Sequence, residues 1–165
     1  MNAWERIGAT VAQEFSDIGD LESLTRITLR LSLAALLGGL LGLERERAGK
    51  AAGLRTHMLV AMGGALFVLV PLQGGMDADG LSRVIQGVVA GVGFLCAGTI
   101  LKARDEEQVQ GLTTAAGLWM TAAIGVAAGV GREMTAVLSA VLAFGILSLE
   151  GPINRLLKRA PGKRN

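Results

Sequence analysis

The sequence predicts an all-α integral membrane protein, a bundle of five transmembrane helices preceded by an amphipathic interfacial helix. Three observations predict it. The 165-residue chain has a mean hydropathy of +0.49 and only 18% charged residues, too apolar for a soluble chain of one-domain length. Its apolar residues fall into five blocks long enough, or nearly so, to cross the roughly 30 Å hydrocarbon core of a bilayer. Glycine accounts for 24 positions and tyrosine for none, a poor composition for a soluble core but one suited to closely packed membrane helices.

The elements follow in order. In residues 1–22, Trp4, Ile7, Val11, Phe15 and Ile18 recur at three- and four-residue intervals, with Glu5, Arg6, Gln13, Glu14 and Asp17 between them. This pattern predicts an amphipathic helix too polar to span, lying at the outer membrane–water interface and opened by an Asn2/Glu5 capping box. It has no basic start, apolar stretch or small-residue cleavage site, so it does not read as a signal peptide. Residues 23–150 form the transmembrane domain. Its spans are expected at Leu24–Leu43, Thr56–Leu72, Val84–Leu101, Leu112–Val130 and Met134–Leu149, the last needing a locally thinned bilayer. Residues 151–165 form a basic cytoplasmic tail.

The charges orient these spans. Eleven of the 16 Lys and Arg residues lie between the first two spans, between the third and fourth, and after the fifth. The remainder, Arg6, Arg26, Arg30, Arg83 and Arg132, lie on the other side. The positive-inside rule then places the N-terminus outside and the C-terminus in the cytoplasm, as an odd number of spans requires.

Glycines recur at four-residue spacing in Gly38/Gly42, Gly87/Gly91 and Gly125/Gly129. On a helix each pair shares a face, which lets a neighbouring backbone approach closely. They are read as packing positions, with a substrate-lining seam as the alternative.

Between the first two spans runs "GLERERAGKAAGLRTH", Gly42 to His57. Glu44, Arg45, Glu46 and Arg47 alternate in sign, and pairing at three- or four-residue spacing along the helix is the expectation. The alternative is ligation of a magnesium ion by Glu44 and Glu46, since magnesium accepts one or two carboxylates with several waters. Arg55 is expected to snorkel to the headgroups. His57 reads as a hydrogen-bonded anchor, with proton sensing as the alternative. Arg30 lies about two turns inside the first span, where an unpaired charge is costly. Glu133, Asp77 and Asp79 are its candidate partners.

Several classes of function are excluded. The Gly-Lys pair at Gly49–Lys50 lacks the spacing and the Ser/Thr of a phosphate loop. The single cysteine, Cys96, expected buried mid-span, precludes an intramolecular disulfide or a multi-cysteine metal site. No catalytic constellation is legible, so an enzyme is not expected and no cofactor is assigned. The basic tail reads as a headgroup anchor, not as a nucleic-acid arm.

Three stretches, Leu37–Phe67, "GVVAGVGFLCAGTIL" (Gly87–Leu101) and "GLTTAAGLWMTAAIGVAAGVG" (Gly111–Gly131), resemble the characteristic blocks of the MgtC/SapB family. They cover roughly half of the chain, in order. The resemblance implies a multi-pass protein of the bacterial inner membrane with five spans, an outside N-terminus and a cytoplasmic C-terminus. It implies a role in adaptation to low magnesium or acid stress, exercised by modulating a membrane partner, with a small magnesium or proton transporter as the alternative. The family blocks map onto Glu44, Arg45, Glu46, Arg55, Thr56, His57, Arg83, Gly91, Gly93, Gly98, Thr113 and Thr114. The expected partners are the bilayer and another membrane protein or a second copy of the chain. The soluble domain that follows the fifth span in MgtC-like members is expected to be absent. Two departures from the family pattern are Cys96 in place of a glycine and Gln110 in place of an arginine, the latter arguing against a mechanism that needs a cation at that edge.

Overall fold

A computed structural model describes residues 2–16, 18–100 and 110–150. The described residues form six helices: α1 (Ala3–Glu14), α2 (Leu21–Arg47), α3 (Leu54–Gln73), α4 (Ala78–Ile100), α5 (Leu112–Gly129) and α6 (Glu133–Ser148). Four of them, α2 to α5, are long and apolar enough to cross a membrane. The fifth expected span, α6, has 16 residues and a length of about 24 Å, short of a full hydrocarbon core. The basic tail, with Lys102 and Arg104, lies outside the described residues.

The Asn2/Glu5 capping box forms as expected. The Asn2 side chain accepts from the Glu5 amide at 2.9 Å, and the Glu5 carboxylate accepts from the Asn2 amide at 3.0 Å. No residue of α1 is buried, and Trp4, Ile7, Val11 and Phe15 are all exposed. Its apolar face therefore has no partner among the described residues.

Several element boundaries differ from those the sequence predicts: α1 ends at Glu14, short of residue 22, and α4 begins at Ala78, six residues before Val84. Helix α2 runs through to Arg47, so Glu44–Arg47 form its last turn instead of a loop. Helix α3 begins at Leu54, which puts Arg55, Thr56 and His57 in its first turn. Hydropathy marks where the bilayer ends, whereas a helix ends where its backbone hydrogen bonds do. Here the charged turn continues past the apolar run.

Helices α2, α3, α5 and α6 pack together, with α5 at the centre, and α4 lies mainly against α5. The core is built from small side chains: Ala34, Ala61, Ala65, Ala128, Ala136, Ala140 and Ala143, with Leu41, Ile124 and Leu147 as its larger members. Such a core brings helix axes close together, and glycine carries this to backbone contact. A Cβ added at Gly38 would meet the His57 carbonyl oxygen at 2.5 Å, and one at Gly42 the Leu54 Cα at 2.8 Å. A Cβ at Gly125 would collide with the Ala61 carbonyl, and one at Gly129 with the Ala65 carbonyl. Gly64, in no regular pair, answers from α3, where a Cβ would meet the Ala122 carbonyl at 2.8 Å.

The third pair behaves otherwise. Nothing lies within 4 Å of a Cβ placed at Gly87, Gly91, Gly93 or Gly98. Among the described residues these four glycines pack against nothing, where packing within the bundle is the expectation for them. Of α4, only Gly80 and Val92 are buried.

Candidate functional site

The charged turn of α2 builds the main polar site. Arg45 is fully buried and is held by partners far apart in sequence. Its guanidinium pairs with neighbouring Glu44, donates through Nη1 to Glu150 Oε2 at 2.9 Å, and donates through Nη2 to the Leu147 carbonyl at 2.9 Å. Glu150 also pairs with Lys50. A fully desolvated cation is tolerated only when paired and hydrogen-bonded, and all of Arg45's ends are so occupied. The Lys50 ammonium, followed by the Arg45 guanidinium, holds the Glu150 carboxyl below the usual carboxylate range.

This arrangement corrects the pairing expected along α2. The adjacent Glu44 and the remote Glu150 take Arg45, and no three- or four-residue ladder forms. Glu46 turns the other way. Its Oε2 accepts from the Leu54 amide at 2.8 Å, capping α3, whose own N-cap residue, Gly53, has no side chain to do so. A Cβ at Gly53 would sit 2.7 Å from that same Oε2, so the glycine makes room for the carboxylate. Glu44 and Glu46 thus serve different helices. Among the described residues no three His, Cys, Asp or Glu side chains gather as a metal site.

His57 is fully buried where α2, α3 and α5 meet. Its Nδ1 lies 3.0 Å from the Gly53 carbonyl, which makes Nδ1 the protonated nitrogen. The anchoring role is the one the geometry supports. Nε2 is buried without a hydrogen-bond partner and faces Gly117, whose added Cβ would lie 3.7 Å away. Of the other expected site residues, Thr114 is buried on α5, whereas Arg55, Thr56, Arg83 and Thr113 are exposed. Arg83 stands in the second turn of α4, at the opposite end from the charged turn of α2.

At that opposite end Arg30 finds one of its three candidate partners. It approaches Glu133 with Nε at 3.4 Å, an ion pair without hydrogen-bond alignment, and Nη1 donates to the Gly129 carbonyl at 3.1 Å. The α5–α6 turn is shaped for this contact. Gly131 has φ +82°, and a Cβ there would run into the Arg30 guanidinium. Cys96, expected buried mid-span, is instead half-buried near the end of α4, with Sγ 3.2 Å from the Ala115 carbonyl.

Sequence reading missed Glu150 and Gly64. The signal for Glu150 was present, since it is the only acidic residue in the last 32 positions, which hold five basic ones. Nothing marked Gly64, because its partner lies on another helix.

Comparison with known proteins gives the family. The model of the MgtC family matches residues 31–156. The protein SrpB of Synechococcus elongatus is 46% identical over 136 residues, covering 76% of this chain and 74% of its own. A protein of Escherichia coli K12 named putative magnesium transporter YhiD is 44% identical over 128 residues, 73% of this chain and 59% of its own. Protein MgtC of Salmonella typhimurium LT2 is 41% identical over 140 residues, covering 82% and 59%. The matches thus take in somewhat over half the length of YhiD and MgtC. No solved structure matches. A family match across most of the length, joined to helices fit to cross a bilayer, shows that the chain is a multi-pass membrane protein belonging to the MgtC family.

Proposed function

We propose that the chain is a five-span protein of the bacterial inner membrane, N-terminus outside, that supports adaptation to low magnesium or acid stress by docking a helix of another membrane protein against α4. The observation that carries this reading is the open glycine face of α4. Gly87, Gly91 and Gly98 share one side of the helix, and the first two line an apolar groove of about 560 Å³ between α3 and α4. Small residues facing the bilayer are where a second helix gains van der Waals contact that lipid does not supply. Gln86, about a third of a turn round the helix from this face, is also exposed on α4. An amide in hydrocarbon is satisfied by a hydrogen-bonding neighbour from another protein helix.

Gly125 and Gly129 are occupied inside the bundle, so partner binding is tested on α4. A photoreactive side chain introduced at position 91 is expected to cross-link a membrane protein in native membranes, and Gly87→Leu is expected to abolish that adduct while the protein stays folded. Cross-links to lipid alone would overturn the reading.

Transport of magnesium or protons is the second reading, favoured by the name of the Escherichia coli relative. Saturable flux in proteoliposomes, lost in a Glu44→Gln, Arg55→Ala variant, would establish it in place of the first.

A further inference from the structure

A second groove, of about 600 Å³, opens between α2 and α6 at the charged end of the bundle. Its two halves differ in chemistry. Toward the bilayer centre the wall is Leu40, Leu43 and Phe144, each still more than a third exposed after folding. One turn further along, at the level where the apolar run gives way to charge, the wall carries Glu44, Arg47, Lys50, Ser148 and Glu150.

The charges at this mouth are not paired one to one. Glu44 and Glu150 are both engaged by the buried Arg45, and Glu150 also takes Lys50. Among the described residues Arg47 has neither an ion pair nor a hydrogen bond. The lining holds two cations, Arg47 and Lys50, and two carboxylates, Glu44 and Glu150; because both carboxylates are drawn to Arg45 behind the wall, Arg47 is the cation of the lining left to offer its charge. A guanidinium matches a phosphate oxygen pair in geometry as well as in charge. The Ser148 hydroxyl, half-buried on α6 across the groove, adds a donor.

We propose that this groove seats one anionic glycerophospholipid, its phosphodiester on Arg47 and an acyl chain along Leu40, Leu43 and Phe144. The inference rests on the reading that α2 and α6 cross the bilayer. Under the proposed orientation, the lipid belongs to the cytoplasmic leaflet. Cationic pockets between spans on that side are suited to anionic headgroups. A single unpaired guanidinium fits a headgroup with one net negative charge, such as phosphatidylglycerol, over a zwitterionic one whose own cation competes for the phosphate. The lipid would close the gap between α2 and α6 beside the Arg45–Glu150 contact, so its occupancy would bear on how firmly that end of the bundle is held.

The test uses the full chain in neutral detergent. Membrane partitioning is established first, so that failure of the bilayer reading shows before any lipid is added. Phosphatidylglycerol and phosphatidylcholine are then titrated, following the thermal midpoint and the number of lipids retained in native mass spectrometry. One tightly held phosphatidylglycerol and a saturable rise in midpoint are expected, with phosphatidylcholine at least about fivefold weaker, as one unmatched cation implies. Arg47→Glu should abolish the preference, and Arg55→Glu, an exposed arginine outside the groove, should keep it. Equal binding of the two lipids, or equal loss in both variants, would overturn the proposal. So would an equivalent shift from glycerol phosphate alone, which would mark a site for a free anion.

Discussion

The pairs Gly125/Gly129 and Gly87/Gly91 have the same spacing on helices of similar apolar character, yet their surroundings are opposite. The first pair is pressed against the α3 backbone, with the carbonyls of Ala61 and Ala65 where side chains would otherwise be. The second faces open space on a helix that buries only two of its residues. Four-residue glycine spacing therefore states a capacity for close approach, and the fold decides whether the neighbour is the chain itself. Where the neighbour is internal, glycine is a requirement of folding. Where none is internal, it is left available for something outside the chain.

The largest expected effect breaks this symmetry directly. Gly125→Leu should destabilise the bundle by about 4 kcal/mol or more, because the added atoms meet backbone that cannot rotate away. In practice, folded protein should be lost from detergent extracts. Gly91→Leu should leave the stability within about 0.5 kcal/mol of wild type, while reducing cross-linking from α4. Equal damage from the two substitutions would refute the comparison.

The charged end sharpens it. Helix α6 is tied to α2 by Arg45, Glu150 and Lys50, whereas among the described residues no ion pair involves α4. Arg45→Ala leaves the Glu44 and Glu150 carboxylates without their buried cation and should cost about 3 kcal/mol, read as a lower midpoint in chemical or thermal unfolding.

A smaller effect is pH-dependent. Glu150 has a depressed folded-state pKa, so its contribution is complete above the unfolded value of about 4.3 and is lost as pH falls through the lower folded value. Thermal midpoints between about pH 3 and pH 6 should fall more steeply for wild type than for Glu150→Gln. Parallel curves would show that the carboxylate is not held by Lys50 and Arg45 in solution.

The smallest effect is at the other end. Gly131→Ala forces a Cβ into a left-handed turn against Arg30 and should cost about 1–2 kcal/mol. Arg30→Ala in the same background should recover part of that loss.

Much of the fold is legible in local composition. Apolar blocks located α2 to α6, and the recurrence of Trp4, Ile7, Val11 and Phe15 located α1. The capping box needed only Asn2 and Glu5 at their spacing. Arg30 could be singled out with Glu133 among its candidates, because an arginine inside an apolar run demands a partner on the same side. The polar site was legible only in outline. Glu44–Arg47 stood out as a cluster, but its alternating signs pointed to pairing along α2, whereas buried Arg45 takes Glu150 from 105 positions away. Local spacing cannot report a partner brought in by another helix.

What the sequence determines by itself is the solvent of each segment. Hydropathy and charge are properties of a residue and its immediate neighbours, and they set which stretches enter a bilayer and which end of each carries the basic residues. Which glycines are pressed against backbone, which carboxylate neutralises Arg45 and which helix keeps an open face were decided by tertiary structure alone. Each depends on the helix that lies alongside, and that neighbour is chosen by the packing of the whole bundle.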